Sequence, residues 1–151
     1  MAKNIFVIII VISCLLLYKL FTKSTITNNV NIKIKNENYT LEVAKSLSQK
    51  AAGLMNRSSL CPHCGMIFVS SYPSPQIFWM KNTLIPLDII FLDSQGKIIN
   101  IEAAPAQAKT ADGNYQYFSS SSPAQYVIEL NLGDSQKLNL TTGDQIPLPQ
   151  F

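Results

Sequence analysis

Between Phe78 and Asp93 the chain reads Phe-Trp-Met-Lys-Asn-Thr-Leu-Ile-Pro-Leu-Asp-Ile-Ile-Phe-Leu-Asp, two apolar stretches interrupted by Lys81-Asn82-Thr83. The run carries the only tryptophan, Trp79. Polar groups set between two buried segments need partners, because an unpaired buried polar group is costly. The interruption is therefore a tight connection between two buried strands or the rim of a site.

The flanking sequence favours strands. Val30-Asn31-Ile32-Lys33-Ile34-Lys35 and Tyr39-Thr40-Leu41-Glu42-Val43-Ala44 alternate apolar and polar residues around Asn36-Glu37-Asn38, which predicts a hairpin. Ser46-Leu47-Ser48-Gln49 has capping-box spacing and opens a short helix through about Met55. Strands follow over Met66–Val69, Ile77–Met80, Leu87–Leu92, Lys97–Glu102 and Gln125–Leu130, with a closing strand over Gln145–Leu148. Ser70–Pro75 reads as a loop broken by Pro73 and Pro75, and Pro105–Pro123 as a long polar loop. Asp134–Leu138 reads as a helical turn. Many short strands with one or two short helices predict a mainly β, antiparallel sandwich or barrel.

Ahead of this domain, Ile5–Phe21 is almost continuously apolar behind Lys3. The run reads as an uncleaved signal anchor or transmembrane segment over residues 1–23, with a linker over 24–29 and a single β domain over 30–151. Cys14 reads as a membrane-buried thiol, because Leu15-Leu16-Leu17 follows it. Residues 5–21 thus make the membrane the first expected partner: a single-pass protein of the cell membrane with its domain on the extracytoplasmic side. The domain carries nine basic and nine acidic residues, so the net charge of +3 belongs to the anchor. No nucleic acid is expected as a partner.

Four segments carry a resemblance: Gly53-Leu54-Met55-x-Arg57, Gly65-Met66-Ile67-Phe68, Phe78 to Asp88, and Tyr126-Val127-Ile128-Glu129-Leu130. Together they resemble the domain of unknown function 192 family over roughly residues 30 to 149. The resemblance implies a compact, jelly-roll-like β-sandwich, commonly behind an export signal, and no established reaction. The chain departs from the family pattern at Cys61-Pro62-His63-Cys64.

Three constellations are candidates for function. Arg57, Trp79, Lys81, Asn82, Thr83 and Asp88 are the polar and aromatic members of the family-like motifs. They form either a shallow pocket for a small ligand or envelope partner, with Trp79 stacking beneath it, or an internal network in which Asp88 accepts from Arg57 or Lys81. Cys61 and Cys64 form either a disulfide that pins a loop in an oxidising compartment or a redox pair. The structural staple is preferred, because a strand rather than a helix is predicted to follow. A copper(I) site using Met55, Cys61, His63 and Cys64 suits soft ligands but lacks a complete set, and methionine commonly fills core gaps. No cofactor is called for. Catalytic sets are thin: His63 is the only histidine, and Asp88 and Asp93 lie on opposite faces of a strand. The reading is a non-catalytic, extracytoplasmic binding module. Its alternative is a thiol–disulfide or copper-handling protein built on the Cys61–Cys64 loop.

Overall fold

The structure, a computed structural model, describes residues 28–151. Among these residues there are eight strands: β1 (Asn29–Ile34), β2 (Glu37–Ala44), β3 (Cys64–Ser74), β4 (Ile77–Trp79), β5 (Leu87–Leu92), β6 (Ile98–Ala104), β7 (Tyr117–Ser119) and β8 (Ala124–Asn131). Two short helices, α1 (Leu47–Ala52) and α2 (Asp134–Lys137), complete the elements of the described residues. The signal anchor expected over residues 1–23 lies outside the described residues. Among those described, no helix is long and apolar enough to cross a membrane.

Six strands form one open sheet in the order β1-β2-β3-β8-β5-β6, and β4 pairs with β7 in a separate two-stranded ribbon. The chain is mainly β, as its patterning predicts, but the sheet is neither closed nor wholly antiparallel. β2 and β3 run parallel, with Leu41 opposite Gly65. Parallel neighbours need a long crossover, and α1 with the loop after it supplies one. Alternation along a strand reports only which faces are buried, so it could not distinguish this pairing.

Both faces of the sheet are covered. On one face Ala44, Met66, Phe68, Val127, Leu87, Ile89 and Phe91 pack beneath Leu54, Met80, Ile85 and Phe118. On the other, Ile32, Ile34, Leu41, Ile67, Ile128 and Ile90 pack against Leu140 and Ile146 of the C-terminal segment. β5 lies between two sheet partners with every residue buried, hence its continuous apolar run. The expected closing strand over Gln145–Leu148 is reduced to a single bridge between Lys97 and Gln145.

Two other expectations are corrected. Residues 70–74 continue β3 rather than forming a loop, with a register shift between Val69 and Ser74 that accommodates Pro73. The long polar segment contains β7, whose Phe118 is buried while its neighbours are exposed. The capping box at Ser46 forms as its spacing predicts, with Ser46 Oγ accepting from the Gln49 amide and Gln49 Oε1 accepting from the Ser46 amide.

Candidate functional site

The crossover lays the residues after α1 over the sheet face that bears Glu42, Met66, Glu129, Ile89 and Glu102. These five occupy one cross-strand row, each opposite the next in register. Arg57 reaches down to Glu42, its two guanidinium nitrogens donating to the two carboxylate oxygens, one at 2.8 Å. That hydrogen bond holds the guanidinium proton more firmly than usual, against the opposing effect of burial.

Glu129 has no such partner. It is 5% exposed, and its Oε2 makes no hydrogen bond among the described residues. Burial pushes its carboxyl up to about 8, opposed only by the positive charge of Arg57. A narrow cleft of about 40 Å³ opens above it, lined by Leu54, Met55, Phe68, Phe78, Trp79 and Thr83. The far wall is fixed by a clamped turn. The Thr83 amide donates to the Met80 carbonyl at 3.2 Å, Asn82 takes a left-handed φ of 55°, and its carbonyl accepts the Asn56 amide at 2.8 Å. On the other side, the Gln107 amide donates to the Thr83 carbonyl at 3.0 Å.

Outside the cleft, the β4–β7 ribbon presents aromatic rings to solvent. Trp79 and Tyr117 are cross-strand partners whose rings lie 6.2 Å apart and within 16° of parallel. They are 41% and 61% exposed, and Ile77 beside them is 66% exposed. Tyr115 meets the Trp79 ring edge-on at 5.9 Å. The Lys81 ammonium sits 5.2 Å from the Trp79 ring centre and the Lys109 ammonium 5.3 Å from that of Tyr115. The result is an aromatic ledge carrying two cations.

The six candidate residues therefore divide. Trp79 and Lys81 form the ledge, Thr83 and Trp79 line the cleft, Asn82 shapes the turn and Arg57 grips Glu42. Asp88 belongs elsewhere. It points to the opposite face of the sheet, where Oδ2 accepts from the Gly133 amide (3.0 Å), the Ser135 amide (2.8 Å) and the Ser135 hydroxyl (2.6 Å). The expected contact of Asp88 with Arg57 or Lys81 does not form, because the side chains of adjacent strand residues leave opposite faces.

Cys61 and Cys64 are joined by a disulfide, and Cys64 begins β3. Their sulfurs are thus bonded to each other, and Met55 lines the Glu129 cleft rather than joining them. Among the described residues no three His, Cys, Asp or Glu side chains gather to hold a metal. His63 faces a cavity of about 400 Å³ together with Glu37, Tyr39, Asp134 and Lys137. Asp134 there accepts from the Tyr39 hydroxyl at 3.2 Å and from Lys137 at 3.0 Å. Burial and then the Asp134 charge push the Tyr39 phenol up.

Sequence reasoning missed Glu129, Glu42, Tyr115, Tyr117 and Lys109 as members of this region. A signal for Glu129 is present: a carboxylate inside the otherwise apolar run Tyr126-Val127-Ile128-Glu129-Leu130.

The fold and the site define a small domain built on a mixed β-sheet, with a carboxyl-floored cleft and an aromatic ledge on one of its covered faces. Residues 29–148 match the model of the DUF192 family, described as an uncharacterized ACR, and the chain belongs to that family. Two solved structures are similar. A protein of Sinorhizobium meliloti 1021, described as a candidate transcription regulator, is 33% identical with a TM-score of 0.69, over 79% of this chain and 91% of that one. A protein of unknown function from Novosphingobium aromaticivorans is 30% identical with a TM-score of 0.68, over 81% of this chain and 85% of that one. No curated protein matches the chain.

Proposed function

We propose that the chain is a non-catalytic binding module, anchored in the cell membrane through residues 5–21 with its domain on the extracytoplasmic side. The ledge at Trp79 and Tyr117 takes an anionic, hydroxyl-rich component of the envelope. One observation carries the reading: two exposed, near-parallel rings with lysine ammonium groups set over the aromatic cluster. Contiguous exposed apolar surface rimmed by polar groups marks interaction sites. Aromatic rings offer flat apolar area to the C–H faces of sugars, and Lys81 and Lys109 attract acidic substituents. The disulfide suits an oxidising compartment. The redox alternative finds less support. A reactive thiolate is commonly stabilised at a helix N-terminus, whereas Cys64 opens a strand.

The test is calorimetric titration of the full chain with polygalacturonate. Trp79→Ala and Tyr117→Ala abolish binding while the far-ultraviolet circular dichroism stays unchanged. The paired change Lys81→Ala with Lys109→Ala weakens binding and flattens its salt dependence. If the aromatic variants bind as the parent does, or lose the fold, the ledge is a structural pair and the reading fails.

A further inference from the structure

We infer that the cleft above Glu129 is a slot for a primary ammonium group. Four observations meet there, and Trp79 and Lys81 alone are shared with the ledge. First, the Glu129 carboxyl is 5% exposed, with Oε2 unpartnered among the described residues, so it lines the cleft as an acceptor awaiting a donor. Second, the cleft holds only about 40 Å³, which admits a small head group and excludes a ring. Third, its walls include the rings of Phe68 and Phe78, a kind of surface that attracts a cation, and the Trp79 ring, which already carries Lys81. Fourth, the protein's own nearby cations are engaged. Arg57 is forked onto Glu42, Lys50, at the rim, donates to Ser70 Oγ at 3.3 Å, and Lys81 sits over the Trp79 ring, 5.2 Å from its centre.

The chemistry of the lining selects an organic cation over a metal ion. A hard divalent ion takes six or more oxygen ligands. Here Glu129 supplies the only carboxylate, and the Thr83 hydroxyl is directed at the Lys81 carbonyl at 3.4 Å. Leu54, Met55 and the aromatic rings instead suit the methylene carbons behind an ammonium.

Binding also moves a proton. With its carboxyl raised to about 8, Glu129 holds a proton in the empty cleft near neutral pH. The incoming ammonium pairs with the carboxylate, and the carboxyl proton leaves for solvent. The charged neighbours that modulate this exchange are Arg57 and Glu42, paired with each other; Lys50 at the rim; Lys81 over the Trp79 wall; and Glu102, one strand beyond β5 in the same row, accepting from Asn100.

The test titrates the full chain with propylammonium chloride at constant ionic strength, against potassium chloride, following the emission of the sole tryptophan. A saturable change is expected with propylammonium and none with potassium. Apparent affinity should rise about tenfold per pH unit from pH 6 to 8. Glu129→Gln should abolish the response while polygalacturonate binding persists. Calorimetry of the unmutated chain in buffers of different ionisation heat should show close to one proton released per ammonium bound at pH 6.5. A response surviving in Glu129→Gln, no saturation with propylammonium, or no proton release would overturn the inference. N-acetyl-lysine amide separates the sources. Tighter binding than propylammonium supports a protein lysine as the natural ligand, and weaker binding supports a free amine.

Discussion

Arg57 and Glu42 are fifteen residues apart in sequence and lock the crossover to the sheet through a two-pronged ion pair. The pair is part-buried, with 33% and 20% of the two side chains exposed. Solvent screening therefore reduces its worth below that of a fully buried pair. Arg57→Ala should cost about 2 kcal/mol in urea unfolding, because Glu42 is left partly desolvated without its donor. Arg57→Lys should recover only part, since an ammonium cannot reproduce the planar fork. Removing Arg57 should also raise the Glu129 carboxyl further, because its positive charge is what holds that group down.

Glu129 sets the direction of a pH dependence. The folded chain keeps its proton up to about pH 8, whereas the unfolded chain releases it near 4.5. Between these values the native state binds more protons, so this group makes stability fall as pH rises from about 4.5 to 8 and level off above. Glu129→Gln should flatten that slope and exceed the parent at pH 8 by on the order of a few kcal/mol. Melting curves of both proteins from pH 4 to 9 check this. The two should converge at the acid end.

Asp88 gathers three donors at one oxygen where the chain leaves β8 and enters α2. Asp88→Ala should lower stability by about 2 kcal/mol, because the half-buried Gly133 and Ser135 amides lose their acceptor. Polygalacturonate binding per folded molecule should not change, since Asp88 lies on the far face of the sheet. Combined denaturation and titration data separate the two effects.

Gly65 lies where β3 is squeezed between β2 and β8. A Cβ there would meet the Cδ2 atoms of Leu41 and Leu130 at 2.8 Å and press on the Glu129 carbonyl oxygen. Its partners are a backbone atom and two core side chains, so they cannot swing aside cheaply. Gly65→Ala should cost at least about 3 kcal/mol, measured as a fall in the urea midpoint or as loss of soluble protein.

Local signals in the sequence were read well. The β1–β2 hairpin, the capped start of α1 and the fully buried β5 each follow from a spacing or a run that nearby residues determine. What escaped depends on distant partners. β7 is three residues long, and only pairing with β4 makes it a strand. The parallel register of β2 and β3 leaves no mark in either strand. The same limit applies to the site. Trp79, Lys81 and Thr83 stood out through the family-like motif, and Asp88 was grouped with them by nearness in sequence although the pleat sends it to the other face. Glu129 stands in the sequence as one member of a family-like motif; its significance lies in having no partner, which a sequence cannot display.

The position of β8 has a consequence for how the domain comes into being. It is the last strand of the sequence, yet it lies between β3 and β5 and, among the described residues, is the strand that hydrogen-bonds β1-β2-β3 to β5-β6. Until β8 is in place, β3 and β5 share no hydrogen-bonded neighbour, and each presents an open hydrogen-bonding edge. Such edges recruit other chains. Long-range pairing of this kind also closes slowly. A chain truncated before Ala124 should therefore aggregate rather than persist as a smaller domain.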